Sequence, residues 1–207
     1  LIARRGSRKR LKSLPLQGLG KGKAVFLDRD GVVNRSLRVE GKPVAPRTFS
    51  EFRLSPRAGR DIAALKRQGF RIAVVTNQPD VAKGLISPSE LERMNRRLLD
   101  ELEVDVVKVC PHAQDEGCRC RKPAPGMLLA AGDELGIPVG RSYMVGDRWS
   151  DVEAGRAAGC YTIKIERRWT NERPSEPDAI VGSLTAAVRH ILAREKQLGK
   201  KGRVGRA

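Results

Sequence analysis

The order of elements in the sequence predicts an α/β fold, a Rossmann-like parallel sheet with helices on both faces and no large cap domain. Three observations lead there. Five short apolar runs have the near-continuous hydrophobicity of strands buried on both faces. Amphipathic segments with helix start and stop signals separate most of them. Residues suited to phosphate or metal chemistry follow four of these runs, where ligands of such sheets bind.

The first predicted strand is Ala24 to Leu27, and it delivers Asp28 and Asp30 to its C-terminal end, with Gly31 freeing the turn. Residues 34–55 are rich in turn formers and too irregular to assign. Pro56 opens a helix whose Ala58, Ile62 and Leu65 share a face, ending at Gly69. A strand over 71–75 closes at Thr76-Asn77-Gln78. Ser87, Pro88 and Glu90 make a helix start with a capping box, and Leu91, Met94, Leu98 and Leu102 form its buried stripe. The third strand is predicted over 104–109 and the next helix over 125–135, stopped by Gly136-Ile137-Pro138. A strand at 143–145 precedes a helix capped by Ser150 with Glu153 and ending at Gly159. A strand over 160–165 and a helix from Ser183 to about Ala193 complete the series. There is no internal repeat.

At 207 residues the chain suits one domain, and no apolar run is long enough to span a membrane. The formal net charge is +17, but residues 1–23 carry eight cations and no acid, and residues 194–207 carry six cations against Glu195. Only +4 is left for residues 24–193, which form the predicted globular domain; the two basic, Gly-containing ends are expected to be disordered tails. Such tails favour polyanions, so a nucleic-acid-binding or nucleic-acid-end-processing protein is one alternative. No aromatic residue lies in either tail, which removes stacking platforms for single strands. Three of four cysteines cluster at 110, 118 and 120, which points to a metal site in a reducing, cytoplasmic compartment rather than to disulfides. A monomer is expected.

Asp28 and Asp30 are two apart on an extended chain and so share a face, where like charges repel unless a cation or proton intervenes. Phosphoryl transfer supplies both: Mg²⁺ for charge, one carboxylate as nucleophile, the other as proton donor. An acidic turn is the plainer reading of this pair alone. Three other strand ends bear on the choice. Thr76 and Asn77 offer a hydroxyl and an amide to phosphate oxygens, and Arg121-Lys122 offers cations. Gly146-Asp147-Arg148 brings a further magnesium ligand in Asp147, with Asp151 placed to buttress it. Four innocent coincidences in order along the chain are much less economical than one site. A second set, Cys110, His112, Cys118 and Cys120, supplies three thiolates and an imidazole for tetrahedral Zn²⁺ within eleven residues. With every position filled by protein, that site is structural and pins the loop beside Arg121 and Lys122.

These motifs resemble the haloacid dehalogenase superfamily of aspartate-nucleophile phosphatases: Asp-x-Asp-Gly, Thr76, Lys122 and Gly146-Asp147-x-x-x-Asp151 match its four motifs. The resemblance implies Asp28 as nucleophile and Asp30 as general acid and base. It implies Mg²⁺ between Asp28, the Asp30 main-chain carbonyl and Asp147, with Thr76 and Lys122 on the phosphoryl oxygens. Residues 24–190 are similar to zinc-loop members, the heptose bisphosphate phosphatases, through Phe26-Leu-Asp-Arg-Asp-Gly-Val-Val-Asn34, Val75-Thr-Asn-Gln78 with Ala82-Lys-Gly84, and Cys120-Arg-Lys-Pro-Ala-Pro-Gly-Met-Leu128. The histidinol-phosphate phosphatases are the close relatives and the alternative. The resemblance implies substrate contacts from Asn77, Arg121 and Arg148. A sugar bisphosphate is the implied substrate, suited to a site lined by Arg29, Arg121, Lys122 and Arg148. Pro79-Asp80 departs from the small residue and glycine frequent there in the heptose enzymes.

Overall fold

The computed structural model describes residues 22–39, 42–167 and 173–204. The expected N-terminal tail lies outside the described residues, Gly22 and Lys23 excepted. β1 (Ala24–Leu27), β4 (Arg71–Asn77), β5 (Val106–Cys110), β6 (Tyr143–Gly146), β7 (Tyr161–Ile165) and β8 (Ala179–Val181) form one parallel sheet in the order β5-β4-β1-β6-β7-β8. Five strands lie where the sequence puts them. β8 is an addition, three residues long and never fully buried, so it lacks the apolar run that marked the others. A second small sheet, the antiparallel hairpin β2 (Leu37–Val39) and β3 (Lys42–Val44), occupies part of the stretch left unassigned.

Side-chain alternation divides the core between two faces. Val25 and Leu27 of β1, with Ile72 and Val74 of β4, pack under α1 (Ala58–Arg67), α2 (Pro88–Leu102) and α5 (Leu184–Val204) through Ile62, Leu65, Met94, Leu98, Val188 and Ile191. Phe26, Ala73, Val75 and Met144 point the other way. They meet Met127, Leu128, Ala131 and Ala154 of α3 (Gly126–Leu135) and α4 (Trp149–Ala157). Each large side chain so buried contributes about 1.5–3 kcal/mol of transfer free energy.

Local expectations fared unevenly. Ser87 caps α2 by accepting from the Glu90 N–H at 3.2 Å, but Glu90 does not close a capping box; its carboxylate takes the Phe49 N–H and Arg93 instead. At α4 the cap is neither Ser150 nor Glu153. Arg148 is the first half-helical residue, and Asp151 reaches back to it.

The last helix differs most. It continues to Val204 instead of stopping near Ala193, because the sequence beyond holds helix formers and no proline. Glu195, assigned with the tail, is buried against the sheet: it pairs with Lys23 at 2.6 Å and accepts from the Tyr143 hydroxyl at 2.5 Å. Arg194 lies over the Tyr161 ring at 4.1 Å.

Candidate active site

β1 has β4 on one side and β6 on the other: the chain runs from β1 out to β4 and β5, then crosses back to β6 and continues the opposite way to β7 and β8. A crevice opens at the carboxyl ends of the strands at such a switch point. Here it is a cavity of about 890 Å³ lined by Asp28, Asp30, Thr76, Lys122, Arg121 and Arg148 among others. No cap domain covers it among the described residues; the β2–β3 hairpin and the segment to Arg47 form one wall.

Asp28 continues the β1–β6 ladder by donating its N–H to Val145 at 2.9 Å, which fixes its side chain at the cavity floor. Lys122 is almost fully buried and donates to Asp28 Oδ1 at 2.6 Å and to the Val75 carbonyl at 2.8 Å. Its ammonium also lies 2.6 Å from Asp151 Oδ1. Asn77 clamps the Lys122 main chain in both directions, its Nδ2 donating to the carbonyl and its Oδ1 accepting from the N–H, each at 3.0 Å. The side-chain amide expected to face phosphate thus positions Lys122 instead, and this precision was not visible in the sequence.

Thr76 Oγ1 accepts from Gln78 Nε2 at 2.9 Å, so its own hydrogen is left to donate elsewhere. Gln78 also donates to Asp30 Oδ2 at 2.6 Å. Asn34 Nδ2 reaches Asp30 Oδ1 at 2.9 Å, and Arg29 lies 3.1 Å from Oδ2. Four donor groups of three side chains therefore orient one carboxylate. Arg29 is fully buried, faces Asn95 and lies 5.6 Å from the Phe52 ring centroid. It supports Asp30 from beneath and does not line the cleft, contrary to the expectation.

Asp147 follows β6 and is buried. Asp151 Oδ2 accepts the N–H groups of Asp147 at 3.1 Å and Arg148 at 3.0 Å, the buttress expected of it. Two glycines make the approach possible. A Cβ at Gly31, where φ is +90°, would fall 2.3 Å from Asp147 Oδ2; one at Gly146 would fall 2.2 Å from the Asp151 Cβ.

Carboxylate oxygens of Asp28, Asp147 and Asp151 lie within 4.8 Å of one another. Burial, then the charges of Asp151 and Asp30 working against Lys122, raises Asp28 to about 7. Burial, then Asp28 and Asp151, raises Asp147 to about 8. Lys122, despite desolvation, is held above its ordinary range by Asp151 and Asp28 and stays charged. Three carboxylates against one ammonium leave a deficit of two positive charges, and the donors are all oxygen. A hard divalent cation such as Mg²⁺ fits that set.

The second cluster also forms. Cys110 Sγ lies 3.6 Å from both His112 Nδ1 and Cys118 Sγ, Cys120 Sγ lies 3.4 Å from Cys118 Sγ, and His112 Nδ1 lies 3.2 Å from Cys120 Sγ. Tetrahedral zinc with bonds of about 2.0–2.3 Å has ligand–ligand edges of about 3.3–3.8 Å, so these four atoms fit Zn²⁺. Burial, with hydrogen bonding to Cys120, pushes the Cys110 thiol up to about 12. The loop returns to the cleft through Arg121, which donates to the His112 carbonyl at 3.3 Å.

Some lining residues were not singled out from the sequence. Gln78 is one. Arg47 is another, paired at 2.8 Å with Asp80, the residue that departs from the related pattern. Arg173 lies 4.7 Å from the Trp149 ring centroid at the opposite wall. Nothing in local sequence periodicity brings such distant loops together.

Comparison with known proteins bears on this geometry. A family model described as HAD-hydrolase-like matches residues 119–187. A D-glycero-beta-D-manno-heptose-1,7-bisphosphate 7-phosphatase from Pseudomonas aeruginosa is 37% identical over 147 residues, 69% of this chain and 80% of that protein. The protein of the same name from Yersinia pestis is 35% identical over 188 residues, 84% of this chain and 97% of its own length. This chain belongs to the heptose bisphosphate phosphatase family of HAD-like hydrolases. Its structure is similar to the D,D-heptose 1,7-bisphosphate phosphatase of B. bronchiseptica, a crystal structure complexed with magnesium and phosphate. The TM-score is 0.71 and the identity 27%, over 83% of this chain and 99% of that one. Membership makes the chain a phosphoric monoester hydrolase. Among the described residues no helix is long and apolar enough to cross a membrane.

Proposed function

We propose that this enzyme removes the 7-phosphate of D-glycero-D-manno-heptose 1,7-bisphosphate by way of an aspartyl-phosphate. The observation that carries the reading is the buried Lys122 gripped between Asp28 and Asp151 at the strand ends, beside Thr76 and below a rim bearing Arg47, Arg121, Arg148 and Arg173. Asp28 attacks phosphorus, and the bond from phosphorus to the sugar oxygen breaks. Asp30 delivers its proton to the leaving alkoxide, then takes one from the water that attacks the aspartyl-phosphate, which restores Asp28 and releases phosphate. The Lys122 ammonium and the Thr76 hydroxyl hold phosphoryl oxygens and offset charge in the transition state. Asp28, the Asp30 main-chain carbonyl and Asp147 would hold Mg²⁺, which offsets repulsion between the nucleophile and the phosphoryl group. Cys110, His112, Cys118 and Cys120 would hold a structural Zn²⁺. The rim cations suit a second phosphate, which a bisphosphate carries, and repel the ammonium of histidinol phosphate.

The test is phosphate release with Mg²⁺ from each anomer of the heptose bisphosphate and from histidinol phosphate, with Asp28→Asn as the blank. Turnover concentrated on a heptose anomer and lost by about 10³-fold or more in Asp28→Asn supports the proposal. Faster turnover of histidinol phosphate overturns the substrate, and unchanged turnover in Asp28→Asn overturns the chemistry.

A further inference from the structure

Asp80, where the sequence departs from the heptose-enzyme pattern, has no part in the chemistry above, yet it lines the cleft together with Arg47. Its Oδ2 accepts from Arg47 Nε at 2.8 Å, across 33 positions of sequence. The pair ties the wall that follows the β2–β3 hairpin to the turn after β4, the turn that also carries Gln78. Ion pairs on α2, such as Arg93–Glu90 and Arg96–Glu92, join mobile neighbours on one helix. Here both partners stand on a fixed main chain. Glu51 accepts the N–H groups of Arg47 at 2.8 Å and of Thr48 at 3.1 Å. The Asp80 carbonyl accepts from Leu85 at 2.8 Å and from Ile86 at 3.3 Å, and its side chain is only 15% exposed.

One edge of the guanidinium is spent on this contact and the rest is not. Of the five N–H donors of Arg47, the one on Nε is committed to Asp80; the four on Nη1 and Nη2 have no acceptor among the described residues. Paired N–H groups of a guanidinium match two oxygens of a phosphate. Neighbouring rim cations have other commitments: Arg121 donates to the His112 carbonyl at 3.3 Å, and Arg148 Nε lies 3.9 Å from Asp147 Oδ1. Lys122 and Thr76 serve the phosphate that is cleaved, so a phosphate that stays on the sugar needs donors of its own.

We propose that Arg47 determines specificity by binding the phosphate that remains on the sugar, and that Asp80 is the positioning residue that aims it. The inference rests on the bisphosphate reading above and adds which side chain recognises the second phosphate. Asp80 acts through Arg47 alone. Without its carboxylate the arginine keeps its charge but loses its fixed direction, so binding weakens less than when the guanidinium itself is removed.

Steady-state phosphate release with Mg²⁺ from the heptose 1,7-bisphosphate and from the heptose 7-phosphate, which differ only in the second phosphate, tests this. The ratio of their kcat/KM values measures what that phosphate contributes. Arg47→Gln is expected to lower the ratio at least tenfold, through a raised KM for the bisphosphate with kcat held within about twofold. Asp80→Gly is expected to lower it about threefold, and Arg47→Gln/Asp80→Gly no further than Arg47→Gln alone. Asp80→Asn, whose amide oxygen still accepts from Nε, retains more of the ratio than Asp80→Gly. Lys83→Gln removes a cation 3.9 Å from Asp80 but outside the cavity lining, and keeps the ratio. An unchanged ratio in Arg47→Gln, whether both substrates lose alike or neither does, overturns the inference. Additive losses in the double variant overturn the role of Asp80. A wild type that hydrolyses neither heptose phosphate overturns the bisphosphate reading, and this inference with it, before any variant is compared.

Discussion

Gln78 donates to both Asp30 and Thr76, so a single amide sets the distance between the proposed proton carrier and the proposed phosphate donor group. Replacement by alanine frees both side chains to shift. Gln78→Ala is expected to lower kcat by about 10²-fold with a smaller change in KM, measured by steady-state phosphate release. The acid cluster makes a second prediction at this scale. Asp28 and Asp147 have folded-state values of about 7 and about 8, raised chiefly by burial above an ordinary value of 3.8. Raised carboxylates bind more protons folded than unfolded, so these two groups cost the metal-free protein no stability below about pH 4 and cost it increasingly as pH rises through 7 and 8. Mg²⁺ should therefore raise Tm markedly at pH 8.5 and little at pH 5; equal shifts at both would contradict the assignment. Arg29 shows what could be read in the sequence and was passed over. The two-residue period that puts Asp28 and Asp30 on one face also turns the residue between them away, here beneath Asp30 and against Phe52. Gln78 had no such signal, because its role depends on how the turn after β4 folds.

At the scale of elements, the Cys/His loop and Lys122 are joined by strand register. Asn77 pairs with Cys110 at the end of the β4–β5 ladder, and its side chain then clamps Lys122. Loosening the four-ligand cluster should move Lys122 without touching it. Cys118→Ser is expected to reduce bound zinc from about one per chain, seen by elemental analysis, and to lower kcat more than tenfold while the far-UV spectrum persists. Full activity without zinc would detach the loop from the site. The main strands were legible because burial on both faces writes them as apolar runs. The β2–β3 hairpin and β8 were not, being three-residue strands with exposed or half-buried positions. The start of α4 was misread for another reason: Ser150 and Glu153 have capping chemistry, but Asp151 is already aimed back at Asp147 and Arg148.

Across the whole molecule, the residues just inside the two ends of the described chain meet. Lys23, half-buried, pairs with the buried Glu195, and the Tyr143 hydroxyl shares the same carboxylate. Removing the carboxylate leaves a half-buried ammonium and a buried hydroxyl without it. Glu195→Ala is expected to cost about 3 kcal/mol in urea unfolding while turnover per folded molecule is kept. Net charge tallied by segment placed Glu195 in a disordered extension, because composition does not reveal that one acid among six cations faces inward. This clasp sits at the amino ends of the strands, opposite the cleft, since Lys23 precedes β1 and Asp28 follows it. The molecule therefore has a natural base and a natural working face. Anchored to a solid support through a residue beside this clasp, it would stand with its mouth turned outward, an orientation suited to an immobilised reactor or sensor.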